Sequence, residues 1–279
     1  MDSNNIFEKA FSDQPIFVLS SGQRCGSTLI QRLLNSNTDI LIWGEQHGYL
    51  NGFLREYRAL LEWESEYSHH RKTFLQNGYD NFVPNMLPED IDLRKAAIVH
   101  ITALFGESAG KLGRSIWGFK EVRYDAQMAL FLYRCFPKAR FIYLTRNIID
   151  CFISLKHWEN SPGSWNRTWT EIFIEDWKRI NASFLNVSNI IPQLMRVRYE
   201  DMIENPKEFI KKLSLFLSIS PDSLDPNVFK RKLHVESSDG IIDLRPVILP
   251  SDLNSEERAL LSTSIIVDIS KEYGYTIEF

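Results

Sequence analysis

The sequence predicts an α/β fold in three layers, with a central parallel sheet flanked by helices. Apolar runs of strand length alternate with segments in which apolar residues recur at the helical period, the pattern of consecutive βαβ units. Most of these runs lead directly into a polar or charged group. Of the 279 residues, 44% are hydrophobic, which is enough for one sizeable core. We therefore expect a single domain over residues 1–279.

Five apolar segments have the length and composition of buried strands. They are residues 16–19, 40–43, 116–119, 140–144 and 195–198. In an open parallel sheet, ligands bind beyond the carboxyl ends of the strands. The charged and polar residues at those ends therefore predict one shared crevice.

The segments between the strands carry helical signals. A helix is expected from about Ser27, because Leu29, Ile30, Leu33 and Leu34 recur at the 3.6-residue period. Further helices are expected over residues 50–63, 88–105, 126–136, 150–157, 206–217 and 256–273. Residues 69–87 are expected to be irregular.

Charge and cysteine content exclude several classes of protein. The 32 basic and 36 acidic side chains leave a net charge of −4, without the basic footprint of a nucleic-acid or anionic-membrane binder. Three cysteines without CxxC spacing favour neither a disulfide framework nor a zinc site. No apolar stretch reaches the roughly 18 residues of a membrane span. We expect a cytoplasmic protein that holds any anion at a local site.

Residues 20–28, here called the first loop, join the first strand to the first helix and read Ser-Ser-Gly-Gln-Arg-Cys-Gly-Ser-Thr. Unpaired backbone N–H groups and the helix dipole favour a bound anion at a helix N-terminus. Gly26 allows close approach, Ser27 and Thr28 add hydroxyl donors, and Arg24 adds a permanent cation. The first loop is thus suited to a phosphate. The alternative is an ordinary strand-to-helix turn with Ser27 as the N-cap.

The first loop departs from the nucleoside triphosphatase pattern G-x-x-x-x-G-K-[ST]. Its glycines are one residue closer together, and Ser27 stands where that pattern has its lysine. The strand at 140–144 is followed by Thr145-Arg146, without the aspartate that would help to hold magnesium. An arginine there can clamp a second phosphate instead, and we expect no metal. A kinase of the P-loop class acting on a small metabolite, and a non-catalytic nucleotide-binding module, are the alternatives.

The residues from Gln23 to Leu29, with Arg146 and with Ser154 eight positions after it, resemble the sulfotransferase family. The resemblance extends over about residues 16–217. It implies a P-loop-like fold and the sulfuryl donor 3′-phosphoadenosine 5′-phosphosulfate (PAPS), with 3′-phosphoadenosine 5′-phosphate (PAP) as the product. The function implied is transfer of a sulfuryl group from PAPS to an acceptor hydroxyl.

The resemblance also implies how the donor is held. The first loop is similar to the family's 5′-phosphosulfate loop, and Arg146 with Ser154 looks like its 3′-phosphate clamp. Tyr199 opens a Tyr-Glu-Asp-Met segment similar to one whose tyrosine lies near the adenine. The alternatives are an ion pair between Arg146 and Asp150 and a packed tyrosine at a strand-to-helix junction. The donor-binding residues so implied are Gln23, Arg24, Cys25, Gly26, Ser27, Thr28, Arg146, Ser154 and Tyr199.

Sulfuryl transfer needs a base for the acceptor's proton and cations for the charge that moves onto the leaving phosphate. Arg24 and Lys120 are the candidate cations, and Lys120 resembles the strand-end lysine of tyrosylprotein sulfotransferases. Glu45 resembles the glutamate base of the tyrosylprotein and bacterial carbohydrate branch. The histidine base of the cytosolic branch is missing after Lys120, and His47 is the reserve base.

Both assignments have structural alternatives. Lys120 would pair with Glu121 or Asp125 at a solvated edge, and Glu45 would be a hydrogen-bonded loop carboxylate or a charge at a helix N-terminus. Burial beside Trp43 would raise the pKa of Glu45, whereas a nearby Arg24 would lower it, and the residues do not decide which effect is larger.

The acceptor is expected to be a small molecule or a carbohydrate. Trp158 and Trp165 either line its pocket, as aromatic walls for a sugar or ring, or pack elsewhere. Trp169 and Trp177 lie eight residues apart, about two helical turns, and are expected in the core. Acceptor identity and oligomeric state are left open by the sequence.

Overall fold

A computed structural model describes residues 12–158, 167–230 and 249–279. Its centre is a five-stranded sheet in the order β2-β3-β1-β4-β5, with every neighbouring pair parallel. The expected α/β fold with a central parallel sheet and flanking helices is confirmed, as are all five expected strands. The strands are β1 (Ile16–Ser20), β2 (Ile40–Trp43), β3 (Ile116–Glu121), β4 (Arg140–Thr145) and β5 (Leu194–Arg198).

Helices connect and flank these strands. They are α1 (Ser27–Asn35), α2 (Tyr49–Tyr67), α3 (His69–Asn77), α4 (Asp90–Ile101), α5 (Ser108–Lys111), α6 (Ala126–Cys135), α7 (Ile148–Trp158), α8 (Arg167–Phe184), α9 (Tyr199–Glu204), α10 (Pro206–Leu217), α11 (Ser255–Leu261) and α12 (Ser264–Glu272). None of the helices in the described ranges is long and apolar enough to cross a membrane.

The strand order places a switch point beside the central strand. From β1 the chain moves through α1 to β2 at one edge, whereas from β4 it moves to β5 at the other edge. Right-handed crossovers in opposite directions put helices on both faces of the sheet. A crevice forms where the strand order reverses, at the carboxyl ends of adjacent strands. In this chain it lies beyond β1 and β4.

Three helix predictions need correction. Residues His69–Asn77, expected to be irregular, form α3, a helix without a buried residue, so its sequence lacks the apolar period on which the prediction relied. The helix expected over 256–273 is two helices, because Thr263 between them is extended (φ −60°, ψ 146°). The helix expected over 88–105 is α-helical only to Ile101 and continues as a π-helix, Thr102–Glu107.

Gly118 lets β3 lie close against the central strand. The side chains of Phe17, Val18 and Leu19 in β1 are at most 1% exposed. A Cβ atom at position 118 would lie 1.7 Å from the backbone oxygen of Ile16. Any side chain there would push β3 off β1, and the residues at the end of β3 would move with it.

Gly118→Ala should lower the free energy of unfolding by about 3 kcal/mol, because the new methyl group meets backbone that cannot yield without breaking the sheet. Urea denaturation monitored by circular dichroism measures this. Gly52→Ala is the matched control, since a Cβ at this α2 position meets nothing within 4 Å. That variant should be neutral or gain up to about 1 kcal/mol from helix propensity. Equal stability of the two variants would contradict this account of the β1–β3 contact.

Candidate active site

The sheet brings the predicted site residues together at the carboxyl ends of its strands. The first loop follows β1, Glu45 follows β2, Lys120 lies near the end of β3, and Arg146 follows β4. Because the strands are parallel, all these positions lie at their carboxyl ends. The structure therefore places these residues at the end of the sheet where the sequence predicts a shared crevice.

The first loop has an unusual backbone. Gly22, Arg24 and Gly26 all have positive φ, of 130°, 63° and 90°. Arg24 is strained there, since a residue with a Cβ rarely adopts this region. The buried Cys25 thiol donates to the backbone oxygen of Gly22 at 2.8 Å, and the Ser20 hydroxyl donates to the same oxygen at 3.2 Å. These side chains hold the loop from the inside, while Gln23 is exposed.

The Cys25 side chain stabilises the conformation of the first loop. Burial raises the pKa of its thiol above the ordinary value of 9.0, so the side chain is neutral and points into the protein. Of the donor-binding residues implied by the sequence, Cys25 can therefore offer a ligand only its backbone.

The N-terminus of α1 is open to an anion. Gly26 is the N-cap, no side chain caps the helix, and the first turn carries no acidic residue. Ser27 is the first helical residue and is buried, so the alternative with Ser27 as N-cap is wrong. Amide N–H groups without side-chain acceptors, at the positive end of the helix dipole, make an anion site. Thr28 is exposed beside them.

Arg24, Arg146 and Ser154 come together on the β4 side of the first loop. Arg24 Nε donates to Ser154 Oγ at 3.2 Å, and Arg146 Nη1 donates to the backbone oxygen of Arg24 at 2.8 Å. The Arg146 guanidinium also lies over the Tyr199 ring, 4.3 Å from its centroid. Two guanidinium groups and a hydroxyl thus meet beside the α1 N-terminus, and they can bind phosphate oxygens.

Tyr199 is packed against the first loop. A Cβ at Gly26 would lie 2.3 Å from Tyr199 Cδ2, so only glycine lets the ring approach this closely.

Among the described residues, Arg146 forms no ion pair with Asp150. Burial raises the pKa of Asp150, although Arg146 opposes the shift. Arg146 is therefore held by a backbone oxygen and a ring, which leaves its charge available in the crevice.

Glu45 and Lys120 form an ion pair on the other side of the first loop. Lys120 Nζ lies 2.5 Å from Glu45 Oε1 and 3.3 Å from Thr28 Oγ1. The Lys120 side chain is 6% exposed and that of Glu45 is 35% exposed. The predicted base thus lies at the surface of the crevice, and the predicted cation lies beneath it in contact with α1.

Two cations determine the charge of Glu45. Arg123 Nη1 donates to Glu45 Oε2 at 2.9 Å. Burial alone would raise the pKa of Glu45, but hydrogen bonds and charge from Lys120, and then from Arg123, lower it below its ordinary value of 4.5. From the sequence, Arg24 is the cation expected to lower the pKa of Glu45 against the effect of burial. In the structure Lys120 and Arg123 lower it instead. Glu45 is therefore ionised at neutral pH.

Sequence reasoning missed Glu121 as the residue that holds the Glu45 turn. Its carboxylate is fully buried, and Oε2 accepts from the backbone N–H groups of Gln46 at 2.9 Å and Gly48 at 3.0 Å. Oε1 accepts from Arg123 at 2.9 Å. The alternative in which Lys120 pairs with Glu121 at a solvated edge is therefore wrong.

The signal for this network is a Lys-Glu-Val-Arg sequence at the end of an apolar strand, residues 120–123. Charged residues so close to a buried strand end must be paired. His47, the reserve base, is exposed in the turn that Glu121 holds, with φ 55°.

A cavity of about 270 Å³ lies next to these groups. Gly22 and Gln23 of the first loop, Arg123, and one face of α8 contribute to its wall. Trp177 is buried as expected at 2% exposure, but Trp169 is 55% exposed and lies at the cavity wall. The prediction of a core position for Trp169 is wrong, because helical spacing identifies a shared face without saying what covers it. The Trp158 side chain and Trp165 lie outside the described residues.

Comparison with known proteins assigns the family. The model of the sulfotransferase family matches residues 15–223, and the chain belongs to that family. The transferase class expected from the sequence is thus confirmed. No curated protein sequence gives a significant match.

Solved structures agree with the fold. The sulfotransferase domain of the curacin biosynthetic pathway is 17% identical with a TM-score of 0.51, and the match covers 96% of this chain and 100% of that domain. The sulfotransferase domain of the Synechococcus PCC 7002 olefin synthase is 15% identical with a TM-score of 0.51, covering 98% and 99%. A sulfotransferase from Alicyclobacillus acidocaldarius is 13% identical with a TM-score of 0.50, covering 93% and 94%.

Glu121→Gln should lower the free energy of unfolding by about 2–3 kcal/mol, because an amide replaces one of the two charged acceptor oxygens and faces buried donors. The amide protons of Gln46 and Gly48 should also exchange faster with solvent. Urea denaturation and hydrogen exchange measure these effects. Glu56→Gln is the control, since that side chain is 73% exposed. Unchanged exchange at both amides would show that Glu121 does not hold the turn.

Proposed function

We propose that this protein is a PAPS-dependent sulfotransferase that moves a sulfuryl group to an acceptor hydroxyl. The observation that carries the proposal is that the Glu45–Lys120 ion pair lies next to the uncapped N-terminus of α1. Lys120 contacts both Glu45 and Thr28, so an anion site and a carboxylate base share one cation. That arrangement suits a reaction in which the leaving group takes up negative charge beside the first loop while the acceptor hydroxyl gives its proton to the carboxylate.

The residues of the crevice fit a donor with two phosphate groups. The N–H groups at the start of α1, with Arg24, would hold the 5′-phosphosulfate end. Arg146, just before α7, and Ser154, within that helix, would hold the 3′-phosphate with a guanidinium and a hydroxyl. Tyr199, against which Arg146 is stacked, would support the adenine. The donor supplies an activated sulfuryl group, and the protein's residues bind and orient it.

The reaction requires one bond to form as another breaks. The acceptor oxygen forms a bond to sulfur, and the bond between sulfur and the bridging phosphate oxygen breaks, so PAP leaves with the electron pair. Glu45 takes the proton of the acceptor hydroxyl. Lys120 and Arg24 stabilise the charge that develops on the leaving phosphate.

Glu45 would become a stronger base if one of the two cations that lower its pKa moved away. In the structure Lys120 and Arg123 keep Glu45 ionised but hold its pKa down, which weakens it as a base. A donor phosphosulfate beside Thr28 would draw Lys120 toward its own negative charge. Glu45 would then lose its nearest cation and become a stronger base when the donor is in place.

A kinase acting on a small metabolite fits the crevice less well. Magnesium-dependent phosphoryl transfer uses a lysine in the loop and carboxylates near the metal. In the described part of the chain, no group of His, Cys, Asp or Glu is arranged to hold a metal ion, and the first loop has serine in place of the lysine.

Arg146→Ala should weaken PAP binding by roughly 10- to 150-fold, because one charge-assisted contact of about 1.5–3 kcal/mol is lost. Isothermal titration calorimetry with PAP measures the Kd. Arg196→Ala is the matched control, since Arg196 also donates to a backbone oxygen, that of Phe184 at 2.9 Å, and lies over a tyrosine ring. Absence of PAP binding by the native protein, or equal affinity of the Arg146 variant, would refute the donor assignment.

The acid limb of kcat/KM for PAPS, which reports the enzyme before the donor binds, should lie below pH 4.5, because Glu45 must be ionised to act and its pKa is lowered from that value. Arg123→Gln removes a cation 2.9 Å from Glu45, so the pKa of Glu45 rises and the limb moves to higher pH. Glu45→Gln should lower kcat by about 10²–10⁴-fold and abolish the limb. Arg55→Gln, at an exposed site, is the control. An acid limb that stays in place in the Arg123 variant would argue against Glu45 as the base.

A further inference from the structure

The cavity beside the active-site groups is positioned to hold the acceptor. Arg123 lies in its wall and donates to Glu45 Oε2 at 2.9 Å. Gly22 and Gln23 of the first loop form another part of the wall. A molecule in this cavity would therefore contact the first loop, α8 and Arg123, the residue that donates to the proposed base. The inference drawn from it rests on the proposed function, because it concerns the acceptor of that reaction.

The wall is mostly apolar, and one helix supplies most of it. Residues 169, 172, 173, 176, 177 and 180 of α8 line the cavity, and their spacing of three and four places them on one face of the helix. Phe173, Trp177 and Ile180 are at most 8% exposed, whereas Ile172 is 47% exposed. The deep part of the cavity is thus mainly hydrocarbon, together with the indole N–H of Trp177, which is buried without a hydrogen-bond partner among the described residues. Ile172 and Trp169 form its rim. Val122 and Leu155 close the other sides.

The charged groups of the wall are already neutralised. Arg123 Nη1 lies 2.9 Å from both Glu45 and Glu121, so this cation is bound by two carboxylates. Asp176 is paired with Arg179 at 3.0 Å. Because Asp176 is negatively charged, it would repel an anionic acceptor. The wall as described offers no spare cation for a carboxylate or phosphate on the acceptor. An anionic acceptor would lose water without gaining a counter-charge.

The polar groups are also too few for a sugar. Gln23, Arg123 and Asp176, with the indole N–H groups of Trp169 and Trp177, are the polar side-chain groups of the described wall. Each hydroxyl buried against hydrocarbon without a partner costs about 1–3 kcal/mol, and a sugar ring carries several. The volume of about 270 Å³ lies just below the roughly 300–1,000 Å³ of pockets for drug-sized ligands. A bicyclic ring or a short alkyl chain suits this size.

We propose that the acceptor is a hydroxyl on a compact, apolar, uncharged body, such as a phenol or a short-chain alcohol. The hydrocarbon part packs on the α8 face and the hydroxyl points toward Glu45. Its oxygen forms the bond to sulfur, its proton passes to Glu45, and the bridging phosphate oxygen leaves with PAP. This narrows the acceptor from the small molecule or carbohydrate expected from the sequence to the apolar class.

The test uses the full-length protein saturated with PAP, which occupies the donor site without reacting. Calorimetry then compares 2-naphthol with 6-hydroxy-2-naphthoate, which adds one negative charge to the same rings, and with methyl glucoside, a neutral sugar. We expect 2-naphthol to bind at least about tenfold more tightly than either of the others, because the described part of the wall is mainly apolar and offers no unpaired cation.

A variant at the rim tests the location of the site. Ile172→Lys places an ammonium at a half-exposed position, where folding should tolerate it, and should weaken 2-naphthol binding about tenfold while strengthening that of 6-hydroxy-2-naphthoate. Ile265→Lys is the control, since Ile265 is 49% exposed on α12 and outside the cavity wall. PAP affinity should be equal in both variants and the native protein.

The outcomes separate the two proposals. If PAP does not bind, the proposed function fails, and the acceptor proposal fails with it. If PAP binds but the naphthoate or the glucoside is preferred, the sulfotransferase assignment stands and the apolar acceptor is wrong. If PAP and 2-naphthol bind but Ile172→Lys changes neither naphthol nor naphthoate affinity, the acceptor does not use this cavity and the proposal is overturned.

Discussion

The ion pair between Lys120 and Glu45 connects the parts of the crevice. It joins β3 to the turn after β2, and through Thr28 it reaches the N-terminus of α1. A lysine that is 6% exposed would cost several kcal/mol without a partner, so the pair decides where both side chains lie. Because the carboxylate that pairs with the lysine is also the proposed base, the position and the basicity of Glu45 depend on the same cation.

Parallel strands explain how an acidic protein presents a basic site. The net charge is −4, yet three cations lie at or near the carboxyl ends of the adjacent strands β1, β3 and β4: Arg24, Lys120 and Arg146. Each cation is held by a different device: Arg24 by Ser154, Lys120 by Glu45, and Arg146 by a backbone oxygen and a tyrosine ring. The whole-chain charge therefore says little about affinity for a nucleotide, although it disfavours binding to nucleic acid.

The sheet and the first loop could be predicted because their signals are local. Buried strands are continuous apolar runs, and the loop is a contiguous motif between β1 and α1. The features that were missed have no local pattern in the sequence. Helix α3 has no buried face, so it leaves no periodic pattern. The role of Glu121 follows from backbone amides of residues 46 and 48, which are more than 70 positions away in the chain. The exposure of Trp169 depends on what packs against α8, which spacing alone does not reveal.

Transfer of labelled sulfur tests the central claim most directly. The protein would be incubated with PAPS carrying ³⁵S and a panel of apolar alcohols, phenols, sugars and hydroxy acids, with EDTA present to remove divalent metals. The account predicts that the label appears in a sulfate ester of at least one hydroxyl acceptor, with one PAP formed for each ester, and that EDTA has no effect. PAPS that stays intact with every acceptor would contradict it, and phosphate transfer to the same acceptors in a parallel incubation with magnesium ATP and without EDTA would identify a kinase instead.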